Sequence, residues 1–269
     1  MRIAIVTDAW LPQVNGVVRT LNKTISLLEA WGHEVLCINP REFLSIPMPS
    51  YPDIPLVLFP YGRVKHMLDE FQPDAIHLST EGPLGWAGRR YCLRNKFPYT
   101  TTYHTRFPEY VRLRAPIPLA LSYAFVRTFH KNAVLTMVAT SSMKKTLEAH
   151  GFKKLAYWSR GVDIEHFVPR EESVMDLPRP IAVYLGRVAV EKNIKDFLNL
   201  KLNGSKVVIG DGPALASLKM QYPDSHFLGY RENGDLARHL AAADVMVFPS
   251  RTDTFGLVML EAMACGVPV

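Results

Sequence analysis

A chain of 269 residues predicts two domains, since a domain takes roughly 150 residues. Hydrophobic residues make up 48% and charged residues 21%, which excludes disordered, collagen-like and coiled-coil proteins. The three cysteines show no CxxC spacing, which excludes a disulfide scaffold. The net charge of +6 indicates anionic ligands, whether nucleic acid, lipid headgroups or phosphorylated small molecules.

The first half of the chain alternates short apolar runs with amphipathic stretches. Strands are predicted at residues 2–7, 33–38, 56–59, 75–78, 99–103 and 135–139. Helices are predicted at residues 17–31, 62–71, 83–95, 117–132 and 141–150, the last of them capped by Ser141. The proline-rich stretch 39–55 and the polar, aromatic segment that begins at His104 are predicted to be loops.

A linker is predicted at residues 161–180, which leaves one domain at 1–160 and a second at 181–269. The second domain repeats the alternation, with strands predicted at 181–185, 205–209, 225–228 and 244–248 and helices at 190–200, 213–220, 233–243 and 256–265. Continuous apolar strands between helices favour an α/β fold with parallel sheets covered on both faces. Since Val267-Pro268-Val269 is typical of the start of a strand, we expect the second domain to lack its last strands and helices.

No stretch of the sequence approaches the ~20 consecutive apolar residues that a membrane-spanning helix needs. The segment from Met1 to Asp8 is typical of a buried strand and not of a signal peptide. We therefore expect a cytoplasmic protein, and peripheral contact with a membrane stays open.

The loop after the first predicted strand runs from Asp8 to Gly16 and leads into a helix. A glycine at this place lets the backbone approach a ligand closely, and the helix N-terminus that follows suits a phosphate group. A turn glycine without any ligand is the competing interpretation, and this loop alone favours it.

Arg187 and Lys192 follow the first strand of the second domain. Ligands of open α/β sheets bind at the carboxyl ends of strands, and two cations five residues apart can face one anion there. A pair of solvated surface cations is the competing interpretation.

An acid pair, Asp253 and Glu261, brackets the start of the last predicted helix. Two acids at this spacing are suited to hydrogen-bond separate hydroxyl groups of one sugar-containing ligand. Between them, Thr254, Phe255 and Gly256 place backbone N–H groups at the helix start, where an anion can bind. A helix-capping acid followed by an exposed glutamate is the competing interpretation.

His104 stands where a strand of the first domain ends, at the edge that also holds the Gly16 loop. A single histidine is usually structural, but its place at a strand end is also typical of a binding site. Both interpretations stay open.

Several motifs are absent from the sequence. Without Gly-x-Gly-x-x-Gly, a P-loop, HExxH or CxxC, a nicotinamide, flavin or zinc enzyme is not favoured. Without Asp-x-Asp, no metal site is predicted, so protein cations and helix ends would have to stabilise any departing diphosphate.

In combination, the motifs resemble the retaining glycosyltransferases of family four, and among them the α-mannosyltransferases of glycolipid or polysaccharide assembly. They are Gly-Arg-x4-Lys after a strand, Val-Ile-Gly-Asp-Gly-Pro, and Asp-x7-Glu running into Ala-Met-Ala-Cys-Gly-Val-Pro-Val. The Pro-Gln-x-Asn-Gly loop and the Tyr-His-Thr-Arg-Phe-Pro segment fit the same family. The resemblance covers the whole chain.

The resemblance implies the GT-B fold, in which two Rossmann-like domains face a cleft and the second holds most of a GDP- or UDP-linked sugar. Arg187 and Lys192 would bind the diphosphate, Glu261 the ribose hydroxyls, and His104 the sugar near the reacting carbon. The other residues that would contact the donor are Gly16, Asp253, Thr254, Phe255, Gly256 and Leu257. Asp253 departs from the glutamate usual in the family, which leaves the donor sugar open.

The reaction implied is metal-independent transfer of a hexose, with mannose favoured, to a lipid or glycan hydroxyl with retention of configuration. A nucleotide-sugar 2-epimerase on the same fold and a non-catalytic nucleotide-binding fragment are the alternatives. A role in binding nucleic acid is not favoured, because the basic residues are scattered.

Basic residues are numerous in the first domain, with apolar and aromatic residues such as Phe107, Tyr110 and Leu113 between them. Such a surface could contact anionic lipid, or it could consist only of solvated faces. The basic residues are Arg89, Arg90, Arg94, Lys96, Arg112, Arg114, Arg127, Lys131, Lys144 and Lys145.

Overall fold

The computed structural model describes residues 1–13, 15–48, 51–171, 174–251 and 253–269, with the backbone but not the side chains of residues 51–53, 114 and 233. The chain divides into two compact units, Met1–Ser159 (unit 1) and Arg160–Val269 (unit 2). Within the described ranges, none of the helices has both the length and the apolar character that crossing a bilayer requires.

Unit 1 alternates strands and helices, as its sequence predicts. The strands are β1 (Arg2–Val6), β2 (Glu34–Ile38), β3 (Ser45–Met48), β4 (Tyr51–Val57), β5 (Ala75–Leu78), β6 (Tyr99–Thr102), β7 (Leu135–Val138) and β8 (Leu155–Tyr157). The helices are α1 (Gly16–Ala30), α2 (Tyr61–Phe71), α3 (Pro83–Arg94), α4 (Phe107–Arg114), α5 (Leu119–His130) and α6 (Ser141–Ala149).

A six-stranded parallel sheet, in the order β2-β1-β5-β6-β7-β8, forms the centre of unit 1. Most of the apolar residues of the central strands β1 and β5 are buried, and Ala4, Val6 and Leu78 have no exposed surface. The neighbouring central strand β6 consists mostly of threonine. The chain leaves β1 toward β2 on one side, and it leaves β5 toward β6 on the other. The carboxyl ends of β1 and β5 therefore flank the point at which the strand order reverses.

The stretch 39–55, which we predicted to be a loop, contains a short 3₁₀ turn at Pro40–Glu42 and the strands β3 and β4. The strand predicted at 56–59 belongs to this antiparallel hairpin and not to the main sheet. Pro47 and Pro55 face each other in the hairpin. A two-stranded ribbon tolerates proline because each strand has a free edge where the missing N–H costs no ladder hydrogen bond.

Two further predictions in unit 1 were wrong, and one strand was missed. The segment after His104 was predicted to be a loop, but it contains α4, which has a proline at its start where the absent N–H needs no partner. The strand β8 was not predicted, because three residues give no measurable alternation. Thr140, and not Ser141, caps α6, since its Oγ1 accepts a hydrogen bond from the N–H of Met143 at 3.2 Å.

Unit 2 holds a four-stranded parallel sheet in the order β11-β10-β9-β12. Its strands are β9 (Ile181–Leu185), β10 (Ser205–Ile209), β11 (His226–Gly229) and β12 (Val245–Met246). Its helices are α7 (Ile194–Leu198), α8 (Leu215–Gln221), α9 (Asn233–Ala241) and α10 (Leu257–Ala264). Phe167 and Met175, from the segment predicted to be a linker, pack into the core of this unit.

The helix predicted at 190–200 is interrupted. A 3₁₀ turn at Val190–Lys192 precedes α7, and Asn193 between them adopts the left-handed conformation with φ 51° and ψ 31°. Asparagine tolerates this region better than most residues do. Lys192 therefore lies in a 3₁₀ turn and not in the continuous helix that the sequence predicted.

Candidate functional site

The carboxyl edge of the sheet in unit 1 carries Gly16 and His104, two of the residues singled out in the sequence. They follow β1 and β6, which both neighbour β5 in the strand order. The remaining predicted residues belong to the carboxyl edge of the sheet in unit 2.

Gly16 is the first residue of α1, and it is exposed. Asn15 caps this helix, and its Oδ1 accepts hydrogen bonds from the N–H groups of Val17 and Val18, both at 3.0 Å. The cap therefore uses two of the N–H groups that an incoming phosphate would need. Val14 of the same predicted motif lies outside the described residues.

Asp8, in the loop after β1, links that loop to the segment between β5 and α3. Sequence reasoning gave it no role. It is 8% exposed and accepts hydrogen bonds from the N–H of Leu84 at 2.8 Å and from that of Gly85 at 3.3 Å. The hydroxyl of Thr80 donates to it at 2.7 Å. Asp8 thus caps α3 from another loop, since Gly82 at the N-cap position has no side chain to do so.

Burial raises the pKa of Asp8 from 3.8 to about 6, and the N–H groups of Leu84 and Gly85 partly offset this increase. Glycines make the burial feasible, because a Cβ at Gly82 would lie 2.4 Å from Cγ of Asp8. An acid directly after the first strand, together with a glycine ahead of a later helix, is the sequence signal that could have revealed this cap.

His104 follows β6 and is half-buried against Trp158, with 6.0 Å between the ring centroids and 62° between the ring planes. His77 approaches the same indole ring at 5.9 Å. Both nitrogens of His77 lie close to threonine hydroxyls of β6, at 2.8 and 2.9 Å. His104 therefore lies at the edge of the sheet, beside the indole ring of Trp158 and near the hydrogen-bonded His77.

In unit 2, glycines bring two loops into contact at the carboxyl ends of β9 and β10. The N–H of Gly186 donates to the carbonyl of Ile209 at 3.0 Å, and the N–H of Val188 donates to that of Asp211 at 2.8 Å. A Cβ at Gly210, whose φ is +141°, would lie only 1.9 Å from the carbonyl oxygen of Gly186. This close approach requires glycine.

Arg187 lies within this contact, because its two neighbours are hydrogen-bonded to the last residue of β10 and to the loop that follows it. Its carbonyl also accepts a hydrogen bond from the hydroxyl of Tyr184 at 2.8 Å. The backbone of Arg187 is thereby fixed at the strand end, and its side chain is half-buried.

Lys192 and Asp253 meet across 61 residues of sequence. Nζ of Lys192 donates to Oδ1 of Asp253 at 2.5 Å, and the two side chains are 16% and 23% exposed. The side-chain amide of Asn193 links the same two loops, through the carbonyl of Pro249 at 3.4 Å. The loops meet because β12 pairs with β9, so that the chain leaves both strands at the same edge.

The helix α10 begins at Leu257, four residues after Asp253. Gly256 is its N-cap residue, with φ 84°, and a Cβ there would meet the side chain of Met259 at 2.6 Å. Thr254, Phe255 and Leu257 are half-buried around it. Since no side chain caps this helix, the alternative interpretation of Asp253 as a capping acid was wrong.

Glu261 lies in the second turn of α10 and is only 7% exposed. The alternative interpretation, an exposed surface glutamate, was therefore wrong. A carboxylate in this position keeps its charge only if polar groups or a ligand compensate for its desolvation.

Among the residues that the structure describes, no group of three or more His, Cys, Asp or Glu side chains is placed to hold a metal ion. The two cations that the sequence singled out in unit 2, Arg187 and Lys192, both follow β9.

The sequence matches two family profiles. Residues 14–166 match Glycosyltransferase Family 4, and residues 179–269 match Glycosyl transferases group 1. The first match alone covers more than half of the chain.

Individual relatives extend these matches over the full chain. It is 30% identical to the GDP-mannose-dependent alpha-mannosyltransferase of Mycobacterium tuberculosis, over 100% of this chain and 78% of that protein. It is 26% identical to the alpha-monoglucosyldiacylglycerol synthase of Streptococcus pneumoniae, over 100% of this chain and 70% of the relative.

Among solved structures, the sucrose-phosphate synthase of Thermosynechococcus elongatus is similar, with a TM-score of 0.77. The two share 20% identity over 100% of this chain and 80% of that one, so this likeness concerns the fold.

Proposed function

Because the chain belongs to glycosyltransferase family 4 and has the GT-B fold, it is an enzyme that transfers a sugar from a nucleotide-sugar, and we propose that this sugar is a hexose, with mannose favoured. The acceptor that we propose is a hydroxyl group of a lipid or a glycan. Configuration is retained, and no metal ion is required.

The names of the relatives support the donor and the acceptor. The M. tuberculosis protein uses GDP-mannose, and the product of the S. pneumoniae protein is a glycosylated diacylglycerol. The aspartate at position 253 leaves UDP-linked sugars as the other donor class to be tested.

The observation that carries the proposal is the meeting of Lys192 and Asp253 beside the loop of Arg187, at the ends of the neighbouring strands β9 and β12. A lysine paired with an aspartate at the start of a helix can bind two different groups of a nucleotide-sugar. The ammonium group and the helix N-terminus suit a diphosphate, and the carboxylate suits the hydroxyl groups of a sugar.

We derive the mechanism from the charge that develops. Breaking the anomeric bond leaves negative charge on the diphosphate, and Arg187, Lys192 and the N-terminus of α10 stabilise it without reorganising. The acceptor hydroxyl attacks the anomeric carbon from the same face, and its proton passes to the departing phosphate oxygen.

The remaining residues bind the donor. Glu261 accepts hydrogen bonds from the ribose hydroxyls, and Thr254, Phe255, Gly256 and Leu257 contact the sugar and phosphates through their backbone. From unit 1, Gly16 contacts the diphosphate or the sugar, and His104 contacts the sugar near its reacting carbon. Each of these assignments rests on the family resemblance at the matching position.

The test is Lys192→Ala, measured with GDP-mannose and UDP-glucose as donors. We expect turnover to fall by about 100-fold or more, since this is the usual loss when one group that stabilises developing charge is removed. Lys195→Ala, which removes an exposed lysine from the adjoining α7, is the matched control. Turnover of Lys192→Ala near that of wild type, or wild-type activity that vanishes in EDTA, would contradict the mechanism.

We further propose that unit 1 contacts an anionic membrane through a groove of about 910 Å³ between α3 and the start of α2. Arg89, Arg90 and Arg94 line it together with aromatic and aliphatic side chains, and no acid lies among the described residues that form its wall. Phe59 at its rim is 93% exposed. Exposed apolar groups beside cations are typical of surfaces that bind anionic bilayers.

Two of these arginines have exposed side chains. The guanidinium carbons of Arg90 and Arg94 lie 4.4 and 5.5 Å from the ring centroid of Tyr61. Arg89 instead donates hydrogen bonds to the carbonyl of Phe129 at 3.0 Å and to Asn132 at 2.8 Å, so it stabilises the fold. The phosphate contacts are therefore assigned to Arg90 and Arg94.

A further inference from the structure

Glu81 lies in the loop between β5 and α3, at the place where the strand order of unit 1 reverses. Open α/β sheets bind their ligands in the crevice at such a switch point.

The backbone around Glu81 is fixed on both sides. Thr80, just before it, exchanges hydrogen bonds with the backbone and carboxylate of Asp8, both at 2.7 Å. After it, Gly82 and Gly85 allow the loop to close, since a Cβ at Gly85 would lie 1.8 Å from the carbonyl oxygen of Thr80.

The side chain of Glu81 is bound by the buried imidazole ring of His130. Oε1 of Glu81 lies 3.1 Å from Nε2 of the histidine, and the two side chains are 12% and 2% exposed. The other ring nitrogen, Nδ1, lies 2.8 Å from the hydroxyl of Thr101, which in turn lies 2.9 Å from that of Thr136. Both nitrogens of His130 are therefore committed, and its ring orientation is fixed.

Aromatic side chains enclose the imidazole ring of His130. The ring centroids of Phe129, Phe152 and Tyr103 lie 5.0, 5.7 and 6.1 Å from that of the histidine. A purely structural role would be served as well by an apolar pair of similar volume, because burying two polar groups costs desolvation energy. The arrangement instead fixes a carboxylate that is 12% exposed in the loop that follows β5.

We propose that the Glu81 carboxylate binds the acceptor, by accepting a hydrogen bond from a hydroxyl group of the lipid or glycan. His130 is a positioning residue that fixes the carboxylate. This inference rests on the proposed function, and it places the acceptor at the switch point of unit 1. A carboxylate oxygen suits this task, since it has acceptor capacity for more than one donor.

The test is Glu81→Gln, which keeps the size of the side chain and removes its charge. The acceptor probes are dioleoylglycerol in dioleoylphosphatidylglycerol vesicles and methyl α-mannoside in solution. At saturating donor, we expect kcat/KM for the acceptor to fall by about 10- to 100-fold, as is typical when a hydrogen bond to a charged group is lost. Affinity for GDP and UDP, measured by calorimetry, should match that of Glu29→Gln, which changes an exposed glutamate of α1.

His130→Leu and His130→Gln test the positioning role. Leucine removes the partner of Glu81, so KM for the acceptor should rise while affinity for nucleotide stays constant. Glutamine keeps an N–H donor within reach of the carboxylate, so it should recover most of the acceptor KM. Unfolding midpoints of both variants separate this effect from a loss of folded protein.

Unchanged acceptor kinetics in Glu81→Gln, or an equal loss of nucleotide affinity, would overturn the inference and leave the proposed function intact. If the wild-type enzyme transferred a sugar to neither probe, the proposed acceptor class would fail, and the role of Glu81 would fail with it.

Discussion

The two units carry chemically opposite groups on the same kind of sheet edge. At the edge of unit 1, Asp8 is a buried carboxylate fixed by backbone N–H groups and a hydroxyl. At the edge of unit 2, Arg187 lies in a loop contact built on glycines, and Lys192 is paired with Asp253. The comparison teaches that the scaffold supplies only the location, because the charges at the strand ends decide which ligand each edge can hold.

Gly210→Ala gives the largest expected effect. Its Cβ would lie 1.9 Å from the backbone of Gly186, and its φ of +141° disfavours every other residue. We expect unit 2 to lose at least about 3 kcal/mol of stability or to fail to fold, measured by urea unfolding. Gly234→Ala in α9, whose Cβ meets nothing within 4 Å, is the control and should stay within about 1 kcal/mol of wild type. Equal stability of the two variants would show that the close contact between Gly210 and Gly186 is not needed for the fold of unit 2.

Asp8→Asn tests whether burial outweighs hydrogen bonding in setting the pKa of Asp8 at the edge of unit 1. The pKa of Asp8 is raised from 3.8 to about 6, so the folded state binds more protons than the unfolded state between these values. The contribution of Asp8 to stability is therefore complete below pH ~4 and declines as the pH rises through 6, by about 3 kcal/mol in total.

The measurement is the difference in unfolding free energy between wild type and Asp8→Asn, from urea unfolding at pH 4 to 7. Carboxylates common to both proteins cancel in this difference, which should fall as the pH rises. A difference that grew with pH would show that the N–H groups of Leu84 and Gly85 outweigh the burial of the charge.

Asp253→Asn separates sugar binding from diphosphate binding, the two roles proposed for the edge of unit 2. Turnover should fall by about 100-fold, because the sugar loses a charged partner and Lys192 loses its orientation. Affinity for GDP should rise, since removing the carboxylate leaves the ammonium group uncompensated for the diphosphate. Kinetics with GDP-mannose and calorimetry with GDP measure the two quantities.

Asp196→Asn changes an exposed acid on the neighbouring helix α7 and serves as the control for Asp253→Asn. It should leave both turnover and GDP affinity within about twofold of wild type, as expected for an exposed pair. Weaker GDP binding in Asp253→Asn would mean that the acid organises the diphosphate site and does not oppose the ligand.

Sequence periodicity predicted most of the fold because short, largely apolar strands such as β1 and β9 alternate with amphipathic helices. The strands at 75–78, 181–185 and 205–209 were predicted to the residue. Periodicity failed where tertiary context decided the conformation. The hairpin of β3 and β4 contains prolines that normally indicate a loop, and the left-handed Asn193 interrupts a segment that has helical character.

Sequence reasoning named candidate site residues one at a time, but it could not predict how they are arranged. Lys192 and Asp253 were each singled out, yet their pairing depends on β12 lying beside β9, which sequence spacing does not reveal. Asp8 and Glu81 were missed, because their partners lie far along the chain. The partner of Glu81, His130, is 49 residues away.

Arg90→Ala combined with Arg94→Ala gives the smallest expected effect, and it tests whether the cations of unit 1 serve a membrane and not the donor. Each arginine near an anionic surface contributes about 1 kcal/mol, so co-sedimentation with phosphatidylglycerol vesicles should weaken by about 30-fold. Binding to phosphatidylcholine vesicles and affinity for GDP should not change. Lys195→Ala combined with Lys219→Ala removes the same charge from exposed positions of unit 2 and should leave vesicle binding intact. An equal loss in both double variants would mean that net charge alone drives the attraction, and the groove beside α3 would then have no special part in it.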